Sequence, residues 1–170
     1  MSPESIDSSA FSTDILEFIR LLHRHRVRYL IVGGEAVIFY GHIRLTGDVD
    51  FFFDREEMNT RCLYEALNEF WEGSVPGLVG HAELQNPGVI FQFGLPPNRI
   101  DLLNEIDGVE FAEAWNGRNT VNLETDSDPI TLHYLGIEEL IKNKQASARP
   151  KDLDDLPYLI RARQLRDSSD

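Results

Sequence analysis

The stretch Tyr29–Asp54, YLIVGGEAVIFYGHIRLTGDVDFFFD, decides how this chain folds. It reads as a short apolar strand over Tyr29–Val32, a glycine pair, a helix from Glu35 to near Tyr40, a loop over Gly41–Gly47 and a second strand. Successive side chains on a strand point to opposite faces, so Asp48 and Asp50 share one face while Val49, Phe51 and Phe53 share the other. Two carboxylates side by side at the start of an otherwise apolar strand are unfavourable unless a cation sits between them. A divalent ion such as Mg2+, or Mn2+ in its place, prefers such oxygen ligands and phosphates. Gly33 and Gly34 permit positive φ and close backbone approach. A helix starting there would offer free N–H groups to a phosphate, and a plain strand-to-helix turn is the alternative.

Outward from this stretch, residues 1–10 are rich in Ser, Asp and Glu and are expected to be disordered. Phe11, Ile15, Phe18, Ile19 and Leu22 recur at helical spacing, with Ser12 or Thr13 placed to cap, and that helix should end near His25. Asp54 and Glu57 read as a capping box for a helix over Arg55–Trp71, whose apolar stripe is Met58, Cys62, Leu63, Leu67 and Phe70. Gly73–Gly80 holds turn signals around a short strand. Val89–Phe93 and Arg99–Asn104 read as a hairpin, which puts Arg99, Asp101 and Leu103 on one face of its second strand. Asp101 is thus a third carboxylate in an apolar, β-rich segment. It joins Asp48 and Asp50 only if its strand pairs next to theirs; a salt bridge to a basic neighbour is the alternative.

A short helix around Phe111–Trp115, strands at Val121–Leu123 and Ile130–His133, and a helix from Ile137 carrying Lys142 and Lys144 follow. Arg149 and Pro150 interrupt the pattern before a last helix, Asp152–Arg166, with Pro157 inside it. The alternation predicts an α/β fold, a mixed central sheet of about five strands flanked by helices. It predicts a single domain over residues 11–166, with a frayed end at 167–170.

Composition narrows the function. With 16 Lys and Arg against 29 Asp and Glu, the net charge is -13, which argues against general duplex DNA binding, an interaction that rests on neutralising phosphates. The basic residues are uneven, however: Arg20, Arg24, Arg26 and Arg28 cluster early, and Lys142, Lys144, Arg149 and Lys151 late. Either set could line a phosphate-facing cleft, with ordinary solvated helix faces the alternative for the first. The one cysteine, Cys62, excludes a disulfide framework and a cysteine-rich zinc site. No apolar run approaches the roughly 18 to 20 residues a membrane span needs, and the polar, acidic opening is unlike a secretion signal. Cytoplasmic residence without membrane association is the expectation.

A glycine pair opening a helix, Asp-x-Asp on the next strand and a distant third Asp on a later strand resemble the nucleotidyltransferase superfamily that shares the DNA polymerase β-type core. Gly33 and Gly34, Asp48 and Asp50, and Asp101 match in chain order, and Thr46 matches a residue often found two before the first Asp. Within that superfamily the segments RIDLLNEIDGVEFAEAW and GIEELIKNKQASARPKDLDDLPYL are similar to the toxin component of abortive-infection, type IV toxin–antitoxin systems. A more distant likeness is to lincosamide nucleotidyltransferases. The resemblance implies transfer of a nucleoside monophosphate from a nucleoside triphosphate to an acceptor hydroxyl, with Asp48, Asp50 and Asp101 as metal ligands and catalytic carboxylates. It also implies a glycine turn at Gly33 and Gly34 that positions phosphates, and Lys144, or Lys151, beside the leaving pyrophosphate. The acceptor stays open between RNA, protein and a small molecule, and a cognate antitoxin-like protein is the implied partner. A catalytically silent nucleotide- or partner-binding regulator and a metal-assisted phosphohydrolase are the competing readings.

Overall fold

The computed structural model describes residues 3–170. In chain order its strands and helices are β1 (Ser5–Asp7), α1 (Thr13–Arg24), β2 (Tyr29–Val32), α2 (Gly33–Phe39), β3 (Asp48–Phe53), α3 (Glu57–Phe70), β4 (Ile90–Phe93), β5 (Arg99–Leu103), α4 (Phe111–Asn116), β6 (Asn119–Glu124), β7 (Ile130–Tyr134), α5 (Ile137–Ser147) and α6 (Pro150–Asp167). All strands join one mixed seven-stranded sheet in the order β1-β6-β7-β2-β3-β5-β4. The protein is therefore α/β, with helices flanking a mixed sheet. Both faces of that sheet are covered: Phe51, Phe52 and Phe53 are consecutive on β3, point alternately to opposite sides, and are all buried.

The topology places β3 between an antiparallel β2 and a parallel β5. Asp50 consequently has Val32, the residue before the glycine pair, on one side and Asp101 on the other. The β4–β5 hairpin forms as the sequence predicts, with Gln92 opposite Asp101. Asn59 on α3 holds the neighbouring strand ends together. Its side chain accepts from the Arg28 N–H at 2.7 Å and donates to the carbonyls of Arg28 and Asp54 at 3.0 and 2.7 Å. None of the described helices is long and apolar enough to cross a membrane.

Several local expectations are corrected. The sheet has seven strands rather than about five. One of them, β1, lies in the stretch expected to be disordered; of residues 1–10, Met1 and Ser2 lie outside the described residues, while Ser5–Asp7 pairs in parallel with β6. Its stability comes from backbone pairing at a sheet edge with Ile6 packed on the core, a signal too short for hydrophobic periodicity to reveal. The capping box of Asp54 and Glu57 does not form, because α3 starts at Glu57 with Glu56 as its N-cap. Asp54 instead accepts from the Glu56 N–H at 3.1 Å and pairs with Arg28 at 2.9 Å. Met58 is exposed, and α3 buries Asn59, Thr60, Leu63, Ala66 and Leu67. No strand forms over 73–80, which is a run of turns leading to a 3-10 helix at His81–Gln85.

Candidate active site

Strand register brings the acidic residues together. On the parallel β3–β5 pair, Asp48 faces Arg99 and Asp50 faces Asp101. Side chains of register partners lie on one face, so one carboxylate oxygen from each of Asp48, Asp50 and Asp101 falls within 4.8 Å of the others. Thr46 orients the cluster by donating to an Asp48 carboxylate oxygen at 3.1 Å, and Gln92 donates to Asp101 at 3.3 Å. Arg99 lies across the group. Its terminal nitrogen is 2.7 Å from Asp48 Oδ2, and its Nε is 3.1 Å from Asp101 Oδ1.

Charge at this spot exceeds what one arginine neutralises. Burial, and then repulsion by Asp48 and Asp101, push the Asp50 carboxyl up to about 7. Burial, and then the neighbouring Asp48 carboxyl, likewise raise Asp101. Burial also works against ionised Asp48, but the hydrogen bonds from Arg99, Thr46 and Asp101 prevail and hold its carboxyl below the ordinary range. Nearby, burial and then Asp48 lift Glu35 to about 6. Such a cluster must keep protons or gain a cation. Its donors are all hard oxygens at mutual distances suited to a shared ion, so the residues fit Mg2+ or Mn2+.

The glycine pair serves this cluster directly. Gly33 has φ +64°, and a β-carbon there would stand 2.1 Å from Asp50 Oδ2. A β-carbon on Gly34 would meet Thr46 Oγ1 at 3.0 Å and the Arg44 guanidinium at 3.1 Å. Only glycine lets the start of α2 lie this close to the carboxylates. Beside it opens a cleft of about 700 Å3 lined by Gly33, Gly34, Arg44, Thr46, Asp48, Asp50, Lys144, Arg149 and Lys151. A second cleft of about 480 Å3 shares Gly33, Asp48, Asp50, Lys144 and Arg149 and extends over Gln92, Arg99, Asp101, Glu105 and Asp107. Asp48 and Asp50 thus border both clefts.

Lys144 sits in both cleft walls, yet it is buried and bound to carboxylates. Its Nζ is 2.8 Å from Asp152 Oδ1 and 3.2 Å from Asp155 Oδ2. Asp155 Oδ2 is also 3.5 Å from Arg44, and none of its neighbours meets it in hydrogen-bonding alignment. Asp152 further accepts from Ser147 Oγ at 2.9 Å, the Arg149 N–H at 3.1 Å and Arg149 Nε at 2.9 Å. Burial opposes ionised Asp152, but the bonds from Lys144, Arg149 and Ser147 outweigh it and hold the carboxyl far below its ordinary range. Lys151 is exposed at the rim of the larger cleft. Two arginines complete the picture that sequence reasoning left unassigned. Arg99 stands two before Asp101 on the same strand face, so alternation alone could have flagged it, whereas Arg44 lies in the loop before β3, where alternation gives no signal.

No curated protein matches the chain. Residues 13–168, which carry the glycine pair, the three clustered carboxylates and both cleft walls, match the family described as nucleotidyltransferase of unknown function (DUF6036), and the chain belongs to that family.

Proposed function

We propose that this protein transfers a nucleoside monophosphate from a nucleoside triphosphate to an acceptor hydroxyl, with Asp48, Asp50 and Asp101 holding the Mg2+ or Mn2+ it requires. The observation that carries this reading is the convergence of three carboxylate oxygens within 4.8 Å at the junction of two clefts. The larger cleft, with the glycine pair, Arg44, Arg149 and Lys151, suits the triphosphate, because open backbone and basic side chains favour phosphate oxygens. The smaller cleft, on the Asp101 side, suits the acceptor. Bound metal would neutralise phosphate charge and lower the pKa of the acceptor hydroxyl. Asp101, which lines the acceptor-side cleft, takes the hydroxyl proton. The acceptor oxygen bonds to the α-phosphorus as the bond to the bridging oxygen breaks, and pyrophosphate leaves past Arg149 and Lys151. Thr46 keeps Asp48 aligned. Lys144 acts through Asp152 and Asp155, which makes it a positioning residue for the α5–α6 junction.

The resemblance to toxin components of abortive-infection systems supports a stress-linked role with a cognate antitoxin-like partner. A second reading, a nucleotide- or partner-binding regulator without turnover, is favoured by Arg99, which already neutralises part of the cluster. Pyrophosphate release measured with Mg2+ and each nucleoside triphosphate separates the readings. Release that requires an added RNA, protein or small-molecule acceptor supports transfer. Phosphate or pyrophosphate release without an acceptor means hydrolysis, and metal-dependent binding without consumption means the regulator.

A further inference from the structure

We infer that Arg99 is a built-in competitor for the divalent ion: in the metal-free protein its guanidinium bridges Asp48 and Asp101, and metal binding displaces it into the acceptor-side cleft. This inference rests on the reading of the three carboxylates as a metal site. A strand arginine that only steadied β5 would need only its own-strand neighbour, Asp101. Arg99 instead reaches across to β3, placing one nitrogen 2.7 Å from Asp48 Oδ2 and 3.3 Å from Asp101 Oδ2, with Nε 3.1 Å from Asp101 Oδ1. These are carboxylates of the same cluster that an ion would use. A cation and a metal that need the same oxygens exclude one another, since each oxygen offers few lone pairs and the two positive charges repel.

Exposure is unequal between Arg99 and Asp101. The Arg99 side chain is one-third exposed, at 33%, while that of Asp101 is 7% exposed and fixed in the sheet. Arginine can therefore swing away while its carboxylate partners stay. The open space of the acceptor-side cleft, whose wall Arg99 itself forms, can receive the released side chain. Arg99 thus neutralises part of the cluster and keeps Asp48 and Asp101 aligned without metal. Metal alone must overcome the arginine, whereas metal arriving with a triphosphate brings further phosphate contacts in the adjoining cleft.

The test is titration of the full chain with Mn2+ alone, reading free Mn2+ by electron paramagnetic resonance, for wild type, Arg99→Gln and Arg99→Lys. Arg99→Gln should bind Mn2+ about tenfold more tightly than wild type, the scale of losing a partly buried bridging ion pair. Arg99→Lys, which keeps the charge but loses the planar fork and its several fixed donors, should fall between them. If Arg99→Gln does not fold, Arg99→Lys decides alone by binding more tightly than wild type. The metal-free melting temperature of Arg99→Gln should drop, and the rise on adding Mn2+ should exceed that of wild type, whereas loss of a purely structural pair would leave the two rises equal. Affinity equal to or weaker than wild type in the variants overturns the competition and leaves the metal site standing. Absence of Mn2+ binding in all three proteins at millimolar concentration overturns both.

Discussion

Asp50 on β3 and Asp101 on β5 are register partners on neighbouring parallel strands, with Gly33 packed so closely that a β-carbon there would meet the Asp50 carboxylate. Distant parts of the sequence converge here through one strand pairing and one glycine turn. Each of these dependences can be broken by a single substitution.

Gly33→Ala should leave the fold intact but spoil the site. The left-handed conformation costs a non-glycine residue about 1–2 kcal/mol. A methyl group 2.1 Å from Asp50 Oδ2 must also push that carboxylate aside. Circular dichroism should remain that of the wild type while Mn2+ affinity falls steeply. Wild-type affinity in this variant would mean that Asp50 is not a ligand.

Lys144→Ala should act first on stability. Its Nζ is the buried cation between Asp152 and Asp155, and removing one partner of a buried pair costs about 3–5 kcal/mol. Urea denaturation should show a loss of that order. Adding Asp155→Asn should recover part of it, since one stranded charge is then removed. A Lys144→Ala protein of unchanged stability that loses nucleotide binding would move Lys144 from positioning to direct contact.

His133 should set a pH dependence of stability away from the site. Burial first, then Arg118 and His23, lower its folded value from 6.5 to about 4, and Thr120 Oγ1 lies 3.1 Å from its Nδ1. A depressed imidazole binds fewer protons folded than unfolded between those values, so its contribution is complete above about 6.5 and is lost as pH falls toward about 4. The melting temperature of His133→Gln should therefore fall less than that of wild type over this window. Parallel curves for the two proteins would contradict the assignment.

Alternation along strands made the acidic face legible. Asp48 and Asp50 could be read as neighbours from spacing alone, and Arg99 with Asp101 likewise. What spacing could not supply was the β3–β5 adjacency, because strand order is set by packing of the whole sheet. Lys144 looked like a polar helix position, since its partners lie beyond the α5–α6 break and only tertiary contact makes it buried. Asp54 carried the local signature of a cap, but pairing with Arg28 and the Asn59 bridge won over the local motif. Strand β1 left no pattern, since a short, mostly exposed edge segment has little apolar content to show.

The most direct measurement of the central claim is label transfer by wild type and Asp50→Asn. Each protein is incubated with α-labelled nucleoside triphosphates, Mg2+ and pools of RNA, protein and small-molecule acceptors. Replacing Asp50 removes one of three mutually repelling carboxylates, so the metal-free variant should be as stable as wild type or slightly more so. The account predicts label on an acceptor with wild type and none with Asp50→Asn. Equal labelling by both proteins would contradict it and remove these carboxylates from the catalytic metal site.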